Sequence, residues 1–359
     1  MNNFFNANEP ISIYGCGNSG RILASNLIRL GKEINYFIDQ KANENSVIDG
    51  IKCINPSKIT EEIKQVVIGV FNRDVSPREI KSLLKSNKVM TIIGYNEINH
   101  YLPGSIPPTF WYDSDFNYSK FSPKISEVKK ILDDHESILT LEKILTFRQT
   151  GKVEDHPDGI GVEKQYFDKG IKNWLEGNGH IMIDCGAFDG DTIFSAIKNK
   201  VPISKAYCFE PDLQNFSVLT TNLKKQSIID ALSIPCATWD KSATLYFNDV
   251  GGENSRILSD STTPVQAISI DEFIGKSPYN FLKIDVEGAE LETLNGALES
   301  IKLNRPYIAV AIYHKPTDIW EIPLYLSNHL QKYSFYIRQY GHNCFDTVLY
   351  CCPCESYYY

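Results

Sequence analysis

Three groups of residues in this chain have the types and spacing to do chemistry. In the first, Gly15, Gly17 and Gly20 stand between the apolar run ISIY and a helical pattern, and Asp39 closes the next apolar run, 22 residues after Gly17. Glycines at such a junction let the chain turn tightly and let a phosphate approach the backbone at a helix N-terminus, while the acid can hold ribose hydroxyls. In the second group, Asp184-Cys-Gly186-Ala187-Phe-Asp189-Gly190-Asp191-Thr192 follows the run IMI and leads into a helical pattern, and Glu210 closes the run YCFE, 20 residues after Gly190. A carboxylate so placed accepts both hydroxyls of a ribose. The third group comprises Lys283, Asp285 and Glu287 around the end of FLKID, and His314 at the end of YIAVAIYH. Open α/β sheets bind ligands at the carboxyl ends of their strands, so Asp285 and His314 are candidate catalytic residues. The preferred proton acceptor is His314, because an imidazole with an ordinary pKa near 6.5 suits the task at neutral pH. Lys283 lies in a strand that should be covered on both faces, where it needs a carboxylate partner; that pair is expected to fix the floor of the site. Asp285 and Glu287, with Glu290, could instead hold Mg2+ and orient two hydroxyls, but Glu290 falls on the following helix and no third ligand is evident, so no metal is expected.

The elements that must position these residues are legible in the hydrophobic pattern. Residues 11 to 95 alternate β-rich runs (ISIYG, INYFID, QVVIGV, VMTIIGY) with helical patterns, the signature of a parallel sheet. The helix before VMTIIGY should start at Ser76-Pro77-Arg78-Glu79, with a serine cap, proline at the first position and glutamate at the third. From Asn96 the chain turns Pro- and aromatic-rich, YLPGSIPPTFWYD, and Ser122-Pro123 then opens a helical stretch that runs to about Gly151. A second alternating pattern starts at His180 and ends with SFYIRQY and FDTVLYC, joined by only GHNC, which requires an antiparallel pair. The expected organisation is an α/β chain in three parts. Residues 1–100 form a Rossmann-like domain, residues 101–160 a Pro-rich and helical connector packed on the second domain, and residues 161–359 a seven-stranded, mainly parallel sheet of class I methyltransferase type.

Composition excludes several alternatives. The 359 residues, 42% hydrophobic and 22% charged, can bury two cores, which rules out wholesale disorder. A net charge of −8 gives no general reason to bind nucleic acid. No run approaches the roughly 18 apolar residues of a membrane span, and the N-terminus lacks a secretory pattern, so a cytoplasmic protein is expected. Nine cysteines, mostly inside apolar runs, read as reduced thiols, and Cys351, Cys352 and Cys354 lack a partner pair at zinc-site spacing.

The second glycine loop allows either NAD or S-adenosylmethionine by its acid alone. Asp184-x-Gly186 with a later Gly190, however, is the acidic-strand, glycine-turn pattern of S-adenosylmethionine enzymes. The chain resembles the FkbM family of S-adenosylmethionine-dependent methyltransferases at QYF (165–167), DCGAFDGDT (184–192), FEPD (209–212), AISIDEF (267–273), FLKIDVEGAE (281–290) and YHKPTDIWEIP (313–323). The resemblance implies that Asp184, Gly186, Ala187, Asp189 and Gly190 line the methionine end of the cofactor and that Glu210 holds its ribose. It also implies that Asp191 and Thr192 stand at the helix entry beside the loop and that Gln165 and Tyr166 reach the cofactor from the preceding segment; Asp285, at its strand end, is expected to serve the cofactor site as well as catalysis. Phe188 stands where a middle glycine is common. Trp320 could stack on a sugar acceptor or belong to the core. The stretch from IYGCGNSGR to VVIGV resembles the N-terminal Rossmann-like domain of sugar-modifying acyltransferases, so Gly15, Gly17, Gly20 and Asp39 form a possible second nucleotide site.

The reading that follows is an O-methyltransferase acting on a hydroxyl of a carbohydrate, glycan precursor or related small metabolite, free or nucleotide-linked. Its rivals are an NAD-dependent oxidoreductase or epimerase using the first glycine loop, and a non-catalytic nucleotide-binding protein.

Overall fold

The computed structural model describes residues 5, 6, 8–172, 174, 175, 177, 179–225, 230–248, 256, 257 and 263–354. The chain divides into two compact units, one of Met1–Ser122, Leu139–Ile160 and Gln339–Asp346, the other of Pro123–Ile138, Gly161–Arg338 and Thr347–Tyr359. The connector expected to pack on the second domain is thus shared between the units.

In the first unit, β1 (Ile11–Tyr14) leads through the glycine loop into α1 (Asn18–Arg29), and β2 (Ile34–Ile38) lies parallel to β1. The short strands β3 (Val47–Ile48) and β4 (Ile51–Ile54) pair antiparallel. Their turn, Asp49-Gly50, has φ of 50° and 80°. Two left-handed residues in a two-residue loop match the right-handed twist of the flanking strands, and Asp-Gly is the pair that tolerates them; the sequence reading passed over this hairpin. Next come β5 (Gln65–Ile68), α2 (Pro77–Ser86), β6 (Thr91–Ile93) and α3 (Ile98–Tyr101). The six strands are ordered β3-β4-β2-β1-β5-β6, all parallel except β3. Tyr14, Ile38, Val66, Ile68, Ile80, Leu84 and Ile92 close one core against this sheet. The start of α2 falls where expected, with Ser76 as N-cap and Pro77 first, but the Ser76 hydroxyl makes no capping bond.

Residues 339–346 complete the first unit. The Trp111 indole donates to the Asn343 carbonyl (2.9 Å), the Asn343 amide donates to Nε2 of buried His156 (2.8 Å), and Arg73 pairs with buried Asp346 (3.0 Å).

The helical stretch predicted from Ser122 is two helices, α4 (Ser122–Ile131) and α5 (His135–Thr150). At the break, Asp134 and Ser137 both bond the Arg338 guanidinium (2.6 and 2.8 Å), and Asp133 and Ser137 accept the amides of Phe335 and Ile337. These bonds satisfy donors along an edge strand that would otherwise be open.

The second unit's main strands are β7 (His180–Cys185), β8 (Ile203–Phe209) and β9 (Asp230–Ile234), with α6 (Asp191–Lys198) and α7 (Leu213–Lys225) between them. Four strands then form a separate small sheet: β10 (Ala237–Thr238), β11 (Ala243–Asn248), β12 (Arg256–Ile257) and β13 (Thr263–Ile268). The chain returns through α8 (Ile270–Ile274), β14 (Phe281–Ile284), α9 (Glu290–Asn295), α10 (Leu298–Asn304), β15 (Tyr307–Ala311), α11 (Asp318–His329), β16 (Tyr333–Gln339) and β17 (Thr347–Pro353). The large sheet is ordered β16-β17-β15-β14-β7-β8-β9, with β17 antiparallel to β15 and the pairs from β15 to β9 parallel. All four side chains of β14 are buried because helices cover both faces, and its Lys283 is buried with them. The TLYF run, read as part of the main alternation, belongs instead to the small sheet.

One glycine tests the packing logic directly. A side chain at Gly20 would run into the Gly15 carbonyl and lie 3.3 Å from that of Gly69, so α1 can cross the strand ends only if this residue is glycine. Gly20→Ala should lower unfolding stability by about 1–3 kcal/mol, read as a reduced urea midpoint. An unchanged midpoint would mean that the helix can shift off the sheet at no cost.

Candidate functional site

The site in the second unit begins where β7 ends. The amides of Gly186 and Ala187 both donate to the Phe209 carbonyl (3.1 and 2.9 Å), which folds the loop across the end of β8. Gly186 has φ 80°, and a Cβ there would collide with the Asp285 carbonyl oxygen, so the turn admits no side chain. Phe188 adopts φ 47°, a left-handed conformation that costs a non-glycine residue and recurs at functional sites. Its amide donates to Glu210 Oε2 (2.9 Å). Gly190, at φ 95°, then caps α6.

Glu210 is 6% exposed, and its Oε1 accepts the Asp212 amide (2.9 Å). With one backbone donor on each oxygen, the carboxylate keeps two acceptor positions, the number a ribose diol requires. Burial pushes its pKa up to about 7 against the pull of those two amides.

Beneath the loop, Asp184 and Lys283 form a buried ion pair at 3.0 Å. Burial raises the Asp184 pKa to about 6, with Lys283 holding it down, so the acid is ionised at neutral pH. Burial also works against the Lys283 charge, but Asp184 and Asp285 outweigh it and raise the ammonium pKa. Lys283 Nζ further donates to the Gly186 carbonyl (2.6 Å) and stands over the Tyr166 ring at 5.5 Å. The expected lysine–carboxylate pair is therefore present, and it grips the glycine turn.

The other half of the site lies at the ends of β14 and β15. Tyr166, at φ 66°, donates its hydroxyl to Asp285 Oδ2 (2.7 Å); its amide donates to the Tyr350 hydroxyl and its carbonyl accepts the Trp174 indole. Glu287 has φ 54° and Gly288 φ 100°, a left-handed turn that brings the Glu287 carboxylate to the imidazole of His314. His314 is 2% exposed. Its Nδ1 is 2.8 Å from Glu290 Oε1, and its Nε2 is 3.5 Å from both Asp285 Oδ1 and Glu287 Oε2. Burial disfavours the imidazolium, but Glu290 and Glu287 more than compensate and raise its pKa well above the usual value. Burial likewise raises Glu290, yet His314 leaves it net lowered. Asp318, at the start of α11, accepts the Lys315 amide (2.7 Å), and burial with Glu290 nearby pushes its pKa up to about 7.

Of the residues singled out in the sequence, Asp184, Gly186, Ala187, Gly190 and Glu210 come together around one loop, and Asp285, Lys283 and His314 adjoin it. The Asp189 and Asp191 carboxylates are engaged locally, accepting the amides of Asp191 and Thr192. Gln165 is buried just ahead of Tyr166, after a single 3-10 turn at Val162–Lys164. Trp320 is wholly buried and belongs to the core. Glu290, considered with Asp285 and Glu287 as an Mg2+ ligand, turns to His314 Nδ1 instead; the three residues whose ligand atoms lie within 4.8 Å of one another are Asp285, Glu287 and His314. Asp318 was not picked out, since the run KPTD carries no sign that this acid is buried within electrostatic reach of Glu290 and His314.

In the first unit, Gly15 has φ 99°, and Gly17 is the N-cap of α1 with open space where a Cβ would be. Asp39 turns back onto this loop. Its Oδ2 accepts the Cys16 amide (3.2 Å) and thiol (3.3 Å), and its Oδ1 accepts the Lys41 amide. Burial and Asp39 together push the Cys16 thiol pKa up to about 12.

Residues 184–343 match the family profile described as Methyltransferase FkbM domain. No curated protein matches the chain. Among solved structures it is similar to methyltransferase FkbM from Methylobacillus flagellatus KT, with a TM-score of 0.77 and 21% identity over 96% of this chain and 90% of that one, which establishes the shared fold. More distant likenesses are Aeropyrum pernix fibrillarin in complex with S-adenosyl-L-methionine (TM-score 0.32, 11% identity, 52% of this chain and 72% of that one) and a methyltransferase from Geobacter sulfurreducens (TM-score 0.32, 11% identity, 72% and 96%). The shared fold and the profile agree: residues 184–343 are similar to the FkbM methyltransferase domain, in a chain folded like a solved FkbM methyltransferase.

Proposed function

We propose that the chain is an O-methyltransferase acting on a hydroxyl of a carbohydrate, a glycan precursor or a related small metabolite. One observation carries this reading. At the carboxyl ends of neighbouring parallel strands, a glycine turn with a buried, half-satisfied carboxylate stands beside an imidazole ringed by acids. S-adenosylmethionine supplies an activated methyl on a sulfonium, and its transfer breaks the methyl–sulfur bond, forms a methyl–oxygen bond and releases S-adenosylhomocysteine and the hydroxyl proton.

The chain's own residues bind, orient and take up that proton. Glu210 holds the ribose, Gly186, Ala187, Asp189 and Gly190 line the methionine end above Asp184, and Gln165 and Tyr166 approach it from the preceding segment. Asp191 and Thr192 begin the helix beside the loop. Lys283 is a positioning residue, holding the Gly186 carbonyl so that the turn keeps its shape. Asp285, with one oxygen fixed by Tyr166, faces the acceptor, and Glu287, held beside the His314 imidazole, receives the proton. The dinucleotide alternative has less support, because Asp39 Oδ2 already accepts both the amide and the thiol of Cys16 in the glycine loop.

Two outcomes test the two halves. S-adenosylhomocysteine affinity, measured by calorimetry, should fall by about 10- to 100-fold in Glu210→Ala, the loss of charge-assisted ribose bonds. Because burial puts the Glu210 pKa at about 7, with Asp212 raising it and Lys283 lowering it, and because only the ionised form accepts from both hydroxyls, wild-type affinity should rise between pH 6 and pH 8. In Glu210→Gln that rise should vanish; equal affinity across variants and pH would remove Glu210 from the site. His314→Gln should keep its S-adenosylhomocysteine affinity and lose about 100-fold in labelled-methyl transfer to whichever free sugar, glycoside or nucleotide sugar the wild type methylates. Full transfer by this variant would leave His314 with a packing role alone.

A further inference from the structure

We propose that Asp285, Glu287 and His314 bind one divalent metal ion, whose remaining positions take two neighbouring oxygens of the acceptor. The part concerning the acceptor rests on the methyl-transfer reading above; the metal site does not. It also departs from the expectation, drawn from sequence, that no metal is present.

The first argument is spacing. Two ligands of an ion held at about 2.1 Å are roughly 3.0 Å apart at octahedral angles and roughly 3.4 Å apart at tetrahedral ones. His314 Nε2 lies 3.5 Å from Asp285 Oδ1 and 3.5 Å from Glu287 Oε2, too far for good hydrogen bonds and close to these separations. Ligand atoms of all three residues fall within 4.8 Å of one another.

The second argument is the way each donor is held. A metal-binding histidine generally gives its other ring nitrogen to a carboxylate, which fixes the ring and its tautomer. His314 Nδ1 lies 2.8 Å from Oε1 of Glu290, itself 1% exposed and anchored by the amides of Val286 and Gly288. Asp285 is held in the same manner, with Oδ2 taking the Tyr166 hydroxyl and Oδ1 turned to the imidazole. Glu287 is kept in place by a left-handed backbone that a non-glycine residue adopts only at a cost. Asp285 Oδ1 and Glu290 Oε2 are shut off from solvent and accept no hydrogen bond.

The third argument is charge. Asp285, Glu287 and Glu290 converge on a single imidazole, and no described lysine or arginine comes within 4.0 Å of these three carboxylates. Even a protonated ring leaves the group net negative, with Glu290 buried and Asp285 and Glu287 partly so, a balance that a bound cation would improve. Two carboxylates with one imidazole suit Mn2+, Mg2+ or Zn2+. Three protein ligands leave open positions, so a vicinal diol, as sugars present, could chelate the ion. The hydroxyl ionised there would pass its proton to Glu287, the ligand most open to water.

Mn2+ titration followed by electron paramagnetic resonance, on the full chain with S-adenosylhomocysteine bound, tests this. That complex carries no sulfonium, so the donor's own positive charge cannot stand in for the metal. One Mn2+ per chain is expected, with affinity at least about 10-fold weaker in Glu287→Gln and in His314→Gln and unchanged in Glu299→Gln, at an exposed acid outside the site. Retained S-adenosylhomocysteine binding by the first two variants shows that they are folded. Absence of Mn2+ binding up to about 1 mM, or binding equal to wild type in both ligand variants, overturns the proposal. If Mn2+ binds as expected but S-adenosylhomocysteine does not, the metal site stands and the methyl-transfer reading falls; the opposite pattern does the reverse.

Discussion

The second unit depends on one sealed ion pair. Lys283 and Asp184 lie on adjacent parallel strands in register, so their side chains emerge side by side where neither can reach water. Removing one partner of such a pair costs about 3–5 kcal/mol, because the other is left buried and uncompensated. What makes this pair more than a stabilising contact is the third bond from Lys283, to the Gly186 carbonyl. That carbonyl belongs to the turn whose amides cross to Phe209, and beyond it Phe188 reaches Glu210. Loop shape, strand pairing and the carboxylate's orientation therefore share one anchor.

The two ends of the crevice differ in charge balance. At the loop end, Asp184 is matched by Lys283, and Glu210 is held by neutral amides with its own charge suppressed by burial. At the other end, acids outnumber cations around His314. An uncharged nucleoside can rest on the first without disturbing it. The second favours whatever brings positive charge, and the left-handed turn at Glu287 keeps that demand in place.

Much of this was legible in the sequence because it follows from local rules. The strand runs, both glycine loops, Glu210 at a strand end and a carboxylate partner for Lys283 all follow from periodicity, turn chemistry and the cost of burying a lone charge. The resemblance to the FkbM family supplied Gln165 and Tyr166, which no periodicity singles out. What escaped was tertiary. Asp49-Gly50 is a short hairpin signal overlooked between longer runs, whereas nothing local could place Asp318 within reach of Glu290 and His314. Nor could spacing show that Glu290 would face the imidazole rather than join Asp285 and Glu287. The sequence also gave no warning that Asp39 would close on Cys16, since the same residue pattern serves an acid that faces a ligand and one that faces its own loop.

The interleaving of the two units bears on how the chain is made. A ribosome delivers residues in order, and domains generally fold as they emerge. Here the first unit lacks residues 339–346 until the 338 residues before them have been synthesised. Trp111, Arg73 and His156 must wait for partners encoded more than 180 residues later. The part translated first thus cannot close until most of the second unit has been made, and a nascent chain stalled anywhere before residue 339 holds neither unit in complete form.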